Sequence, residues 1–311
     1  MNNGVQIPII VIAGATGAGK TAWALQLAEN FPVEVVSADS RQVYRGMDIG
    51  TAKVTAAEQR QVRHHVIDVA DPQHNFTVAE FTELAHHAIR DIVRRGKIAV
   101  VVGGTGLYIR ALTDGLIDAP SEDADLRKEL LAQEQHNPGE LYRQLLNVDS
   151  LLAQRLHQRD ITRIVRGLEV YRLCGKPLSQ LQQEHGFREQ PYRVLKIAPA
   201  WDRSELYQRI DQRVEVMLAA GLIDETSLLL SRGYGRDLKA MRTIGYRQAC
   251  AYLHDEISRD EAVAWIQRDS RRYAKRQLTW FRRDEEIIWV DYHDRFDTIT
   301  RLIDEFYFNE E

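Results

Sequence analysis

Residues 14–21 read GATGAGKT, and their types and spacing fit a phosphate cradle. Gly14, Gly19, Lys20 and Thr21 hold the fixed places of G-x-x-x-x-G-K-[ST], with Ala15, Thr16, Gly17 and Ala18 between them. Glycines let such a loop turn its backbone N–H groups inward. Lys20 adds a point charge, Thr21 offers a hydroxyl to a magnesium ion, and a helix opening at Lys20 aims its positive end at the anion. A cradle of this kind recognises a phosphate chain and leaves the reaction open. Two further stretches place chemistry nearby: SADSRQVYRG carries Asp39 and Ser40, and VVGGTGLYIR carries Gly103, Gly104 and Thr105. A carboxylate beside a phosphate loop reads as a general base, or as a structural Asp that caps the next turn or helps hold magnesium. Taken alone, GGT is a tight turn that lets backbones approach.

A third cluster is RDSRRYAKRQLTWFRR, residues 268–283, in which seven basic residues face the single acid Asp269 and Tyr273, Trp280 and Phe281 are interleaved. Positive charge with aromatic faces suits unstacked nucleic acid, and an amphipathic helix with its arginines in water has the same pattern. A second basic stripe holds Arg159, Arg163 and Arg166, the last two on one helix face, while Ile161, Ile164, Val165 and Leu168 supply the buried one.

These residues need elements to hold them. PIIVIA precedes the glycine loop as a buried strand, and VEVVSA, HHVIDV and KIAVVVGG follow with helical stretches between them. Strand and helix alternating in this way predict an α/β fold, a P-loop-containing doubly wound parallel sheet, whose working residues lie beyond the carboxyl ends of the strands. From Pro120 to Gln190 the pattern is all helical: DLRKELLAQEQ, PGELYRQLLNV, SLLAQRL and ITRIVRGLEVYRLCGKPLSQLQQ. YRVLKIAPA then resumes a strand and EIIWVD offers a last one. The expected organisation is a core of residues 1–119 and 191–311 interrupted by an inserted helical subdomain, residues 120–190.

The chain has 311 residues, 44% of them hydrophobic, enough for a real core and against disorder. No apolar run reaches the roughly 18 residues of a membrane span, and MNNGVQIPII lacks the basic flank of a signal peptide, so a cytoplasmic protein is expected. Cys174 and Cys250 have no C-x-x-C partner and read as buried reduced thiols. A net charge of −4 argues against a protein that coats nucleic acid. Among 41 basic residues only eight are lysine. That arginine excess suits phosphate and base recognition, and a GC-rich genome produces it equally.

In order along the chain, GATGAGKT, SADSRQVYRGMDIGTAK, HHVIDV, VVGGTGLYIRAL, RIVRGLEVYRLCGKPLSQL, RTIGYRQ and KRQLTWFRR resemble the motifs of tRNA dimethylallyltransferases, from about Ile9 to Arg283. Ala15 and Val54 stand where the family usually has proline, which bears on loop stiffness only. The resemblance implies a donor, dimethylallyl diphosphate, whose diphosphate is the leaving group. The acceptor is N6 of the adenosine just 3′ of the anticodon in tRNA. Asp39 matches the family's base, Lys20 and Thr21 the diphosphate and magnesium site, and Arg209 in LYQRIDQRV an arginine at the diphosphate; alone, Arg209 reads as a helix-surface charge. The resemblance also implies tRNA contacts at Asp39, Ser40, Arg41, Gln42, Thr105 and Arg127. It adds the segment Thr162, Arg163, Ile164, Val165 and Arg166 in the insert, and Arg242, Gly245, Tyr246 and Arg247 in RTIGYR. In the tail it adds Lys275, Arg276, Gln277, Trp280 and Arg282. The insert would then help grip the anticodon stem-loop. The cofactor expected is Mg²⁺, the partners tRNA and dimethylallyl diphosphate with no membrane, and the state a monomer.

Three rivals remain open from the residues. A small-molecule kinase shares strand, ATP-type glycine loop and sheet but would keep the phosphate. An adenylate isopentenyltransferase would act on a free nucleotide, without use for the insert or the basic tail. A non-catalytic RNA-binding module would not need Lys20, Thr21 and Asp39 together.

Overall fold

The structure, a computed structural model, describes residues 6–186, 190–294 and 296–308. The chain divides into two compact units, Met1–Thr113 with Pro191–Glu311, and Asp114–Gln190. The first begins with β1 (Ile7–Ala13), α1 (Lys20–Leu27), β2 (Val33–Ser37), α2 (Ala56–Gln61), β3 (His64–His65), α3 (Val78–Arg94), β4 (Ile98–Gly103) and α4 (Gly106–Asp114). The second holds α5 (Ala124–His136), α6 (Glu140–Val148), α7 (Ser150–Arg155), α8 (Ile161–Cys174) and α9 (Leu178–His185). The first unit then resumes with β5 (Tyr192–Ala200), α10 (Arg203–Ala219), α11 (Leu222–Ser231), α12 (Tyr246–Leu253), α13 (Arg259–Phe281), β6 (Ile288–Asp291) and α14 (Asp297–Phe308).

Among the described residues six strands form one parallel sheet in the order β3-β2-β4-β1-β5-β6. Continuous apolar runs are what a sheet covered on both faces requires. Along β1, Ile9, Val11 and Ala13 enter the larger core on one face, while Ile10 and Ile12 enter a second core on the other. Each fully buried Ile contributes about 1.5–3 kcal/mol relative to exposure. On the larger core lies α3, whose buried Phe81, Ala85, Ala88, Ile89 and Ile92 recur at helical spacing. Thr77 and Glu80 start it with a capping box.

Two sequence expectations change in detail. HHVIDV yields only the two-residue β3, because Val66 and Asp68 take positive φ values of 59° and 55°, which no strand accommodates. In the insert, the long helical stretch from Ile161 breaks in two at Gly175, which adopts φ 73° as a left-handed C-cap just before Pro177. The insert has its own core, with Leu130, Leu141, Leu145, Leu152, Ile164 and Leu168 buried together. Cys250 is buried, whereas Cys174 is exposed.

Candidate active site

The phosphate loop joins the carboxyl end of β1 to α1. Gly19 takes φ 87° as the N-cap of α1, and a Cβ there would lie 2.4 Å from Cε2 of Tyr292, so only glycine fits. The first-turn amides of α1 have no partner within the helix and are available to an anion. The loop carbonyls are tied down. Lys20 Nζ donates to the Ala15 carbonyl at 2.7 Å, Arg209 Nε to the Gly17 carbonyl at 3.2 Å, and Trp201 Nε1 to the Ala18 carbonyl at 3.0 Å. Burial lowers the Lys20 ammonium from its ordinary value of 10.5 to about 8. The Asp39 carboxylate opposes that shift, and the Arg213 guanidinium adds to it.

A cavity of about 870 Å³ opens beside the loop within the first unit. Its walls include Gly19, Lys20, Thr21, Asp39, Arg209 and Arg213. Asp39 sits just past β2, and its Oδ1 accepts the Arg41 amide at 2.8 Å, the turn-capping contact that the sequence left open. Its carboxylate also acts electrostatically on Lys20 and Arg213. The GGT stretch holds this carboxylate in place. A Cβ on Gly103 would lie 2.1 Å from the Ala38 carbonyl, so glycine lets β4 run close to the end of β2. Thr105 donates its amide to the same carbonyl at 3.2 Å, and its hydroxyl accepts the Ser40 amide at 3.0 Å. Gln42, also on the cavity wall, donates to the Ala52 carbonyl at 3.2 Å.

Arg213 is the residue that sequence reading missed. It stands four positions after Arg209 and so shares a face of α10, a spacing that could have flagged it. Burial lowers its guanidinium pKa from the ordinary arginine value, against the pull of Asp39. Arg209 is engaged differently: beyond the Gly17 carbonyl, its guanidinium carbon lies 4.4 Å from the Trp201 ring centroid and 5.2 Å from that of Tyr292.

Several residues expected at a tRNA surface have other roles. Gln277 is buried; its Oε1 accepts the Thr16 amide and its Nε2 donates to the Gly104 carbonyl, both at 2.8 Å, so it latches the phosphate loop to the GGT turn. Tyr246 is fully buried, its hydroxyl donating to Glu225 at 2.6 Å, and the same carboxylate accepts the amides of Asp48, Ile49 and Gly50. Gly245, with φ 95°, starts α12 beneath it. In the insert, Ile164 and Val165 belong to the core, and Arg127 and Arg166 both bind the buried Glu169, at 2.8 and 2.6 Å. Thr162 and Arg163 are exposed.

The tail keeps Lys275, Arg276, Trp280 and Arg282 exposed on or just past α13. Part of its charge excess is consumed: Arg268 and Arg272 face Asp269, and Arg271 pairs with Asp211. Arg242, Arg247 and Arg276 line the cavity, Arg242 pairing with Asp237 at 3.1 Å and Arg247 with Asp269 at 2.7 Å.

The latch makes a testable expectation. Gln277→Glu keeps an acceptor for Thr16 but sets a carboxylate against the Gly104 carbonyl, a loss worth about 1–3 kcal/mol. Transfer should fall about 10-fold or more while the Kd for an anticodon stem-loop stays within about twofold. Steady-state kinetics with a binding titration checks this, and equal loss in both would remove the latch from the site.

Hard oxygen donors near the loop are the Thr21 hydroxyl and the Asp39 carboxylate, both on the cavity wall. Among the described residues no three His, Cys, Asp or Glu side chains group to hold a metal ion. That donor set fits magnesium, which takes most of its ligands from substrate phosphate and water.

A parallel sheet whose first strand runs into a glycine cradle, with a lysine, a carboxylate and half-buried arginines around one cavity, defines a P-loop-type α/β enzyme. The IPP transferase family profile matches residues 42–284. The chain is 54% identical over 306 residues to tRNA dimethylallyltransferase 1 of Syntrophotalea carbinolica, covering 98% of both chains. It is 52% identical to the tRNA dimethylallyltransferase of Geobacter metallireducens, over 96% of this chain and 97% of that one. The full-length tRNA isopentenylpyrophosphate transferase of Bacillus halodurans superposes with a TM-score of 0.70 at 38% identity, covering 97% and 95% of the two chains. A eukaryotic dimethylallyltransferase captured acting on tRNA superposes with a TM-score of 0.83 at 29% identity, covering 98% of this chain and 80% of that one. The chain belongs to the tRNA dimethylallyltransferase family and is a transferase that modifies tRNA by prenylation.

Proposed function

We infer that the protein transfers the dimethylallyl group from dimethylallyl diphosphate to N6 of the adenosine 3′-adjacent to the anticodon, releasing diphosphate. One observation carries the assignment of roles: Asp39, Lys20 and Arg213 meet around one cavity beside the phosphate loop. The N6 lone pair is delocalised into the adenine ring, so the amine attacks well only as its proton leaves. Asp39 takes that proton while the N6–carbon bond forms. The carbon–oxygen bond to the diphosphate breaks with its electron pair on oxygen, and Lys20, Arg213 and the loop amides stabilise the charge that builds there. Arg209 acts on the same group by holding the Gly17 carbonyl. The Thr21 hydroxyl would help hold a magnesium ion, which would supply further neutralisation of the diphosphate.

The acceptor must be drawn out of the anticodon loop to reach Asp39, a cost offset by contacts along the RNA. Ser40, Arg41, Gln42 and Thr105 stand nearest the base. Arg242, Arg247, Lys275, Arg276, Trp280 and Arg282 suit the phosphates and unstacked bases of the arm. Thr162 and Arg163 offer the insert's contribution, with Arg127 and Arg166 set behind them by Glu169. We read the protein as a cytoplasmic monomer; among the described residues no helix is long and apolar enough to cross a membrane.

The test is competition under one labelled donor. Incubated with labelled dimethylallyl diphosphate, an unmodified anticodon stem-loop should yield isopentenyladenosine on digestion, and AMP should not be modified. Efficient transfer to AMP would move the protein to the free-nucleotide class. Label transferred from γ-labelled ATP would expose a kinase.

A further inference from the structure

The carboxyl ends of β5 and β6 carry an aromatic stack that the reaction as described leaves unused. Trp201 follows β5 and Tyr292 follows β6, and their rings stack with centroids 4.2 Å apart. Trp23 of α1 extends the stack, 5.8 Å from Tyr292 at an interplanar angle of 7°. The Arg209 guanidinium lies against both Trp201 and Tyr292.

We propose that Trp201 and Tyr292 are positioning residues that, with the Arg209 guanidinium between them and the loop, brace the peptide planes of the phosphate loop for diphosphate, the two rings acting without touching it. This role rests on the diphosphate reading of the loop and follows from the planarity of the peptide bond, in which a carbonyl and the next N–H point in opposite directions. Trp201 Nε1 holds the Ala18 carbonyl, which turns the Gly19 amide away from the indole, and Gly19 itself lines the cavity. Arg209 Nε fixes the preceding plane through the Gly17 carbonyl. Tyr292 fills the space beside Gly19 that a side chain would otherwise take and keeps Trp201 at its angle. The arginine's flat face suits it to this stacked place, where a lysine could not spread over both rings.

The experiment measures the Kd of inorganic diphosphate and of dimethylallyl diphosphate, with an anticodon stem-loop and thermal unfolding as controls. Trp201→Phe keeps the stack and removes the N–H donor; it should weaken diphosphate about 5-fold, the loss of one hydrogen bond. Tyr292→Ala should weaken it about 10-fold or more, and Tyr292→Phe, which restores the ring, should bind as the wild type does. Stem-loop affinity should stay within about twofold throughout. The brace is overturned if Trp201→Phe and Tyr292→Ala bind diphosphate like the wild type. It is equally overturned if Tyr292→Phe is as impaired as Tyr292→Ala, or if donor and stem-loop affinities fall together with the unfolding temperature. A wild-type protein with no affinity for inorganic diphosphate would instead sink the reading of the loop itself, a separate failure.

Discussion

Asp39→Ala slows transfer about 10²- to 10⁴-fold at saturating donor and tRNA, the usual contribution of a positioned base. The carboxylate stands past the end of β2, tied by its Oδ1 to the Arg41 amide and close enough to Lys20 and Arg213 to shift both. Removing it takes away the carboxylate placed to accept the N6 proton. The donor keeps its two cations, so diphosphate affinity should hold or rise, because two positive groups lose a competing anion. Asp39→Asn is the sharper variant, since it can still accept the Arg41 amide while surrendering the base. Single-turnover kinetics with labelled donor measures the step, and binding of stem-loop and diphosphate supplies the controls. Wild-type turnover in Asp39→Asn would take Asp39 out of the chemistry and leave it the turn cap that its hydrogen bond also describes.

Lys20→Ala has the second large effect, about 3 to 4 kcal/mol of transition-state stabilisation or roughly 10²- to 10³-fold in rate, by analogy with loss of one oxyanion donor. Little of that should reach stem-loop affinity. The lysine also gives a pH signature. In the free enzyme its ammonium loses its proton at about 8, below the ordinary 10.5, because burial disfavours the charge. A bound diphosphate favours the charged form, so the pKa rises on binding. Donor affinity is therefore full below about pH 8 and falls as pH rises above it, by up to about tenfold per pH unit until the pKa of the complex is reached. Lys20→Arg, which stays charged, should lose the inflection even where its longer side chain costs affinity. A titration of dimethylallyl diphosphate binding from neutral to alkaline pH decides the matter; an unchanged inflection in Lys20→Arg would assign it to another group.

The parts of the fold carried by local pattern were legible. Ile9 to Ala13 and Ile98 to Val102 alternate between two cores because both sheet faces are covered, and that produces the unbroken apolar runs read as strands. The loop motif announces itself because only glycine tolerates the φ of 87° at Gly19 with Tyr292 alongside. Long-range partnership was hidden. Gln277 looked like part of a basic surface segment, and nothing in KRQLTWFRR reveals that its amide reaches back to Thr16 and Gly104. The spacing of Arg209 and Arg213 could place them on one helix face, but which of them holds a loop carbonyl and which is placed beside Asp39 depends on how α10 packs. Arg127 and Arg166, both expected at tRNA, hid their partner for the same reason: Glu169, which binds both, is an acid on a helix until the insert folds around it.

The phosphate loop lies within the first 21 residues, yet Trp201, Arg209, Gln277 and Tyr292, which hold or back it, are all made after the insert. Strand β1 is likewise flanked by β4 on one side and, on the other, by β5, which begins only at Tyr192. A chain emerging from the ribosome therefore carries its most recognisable motif for most of its synthesis with one strand edge open and the loop unfastened. Full donor affinity is therefore expected late, once β6 and Tyr292 have been made. Truncation before Tyr192, which removes β5 and every one of these braces, should give a polypeptide that exposes the β1 edge to aggregation or proteolysis and does not bind dimethylallyl diphosphate.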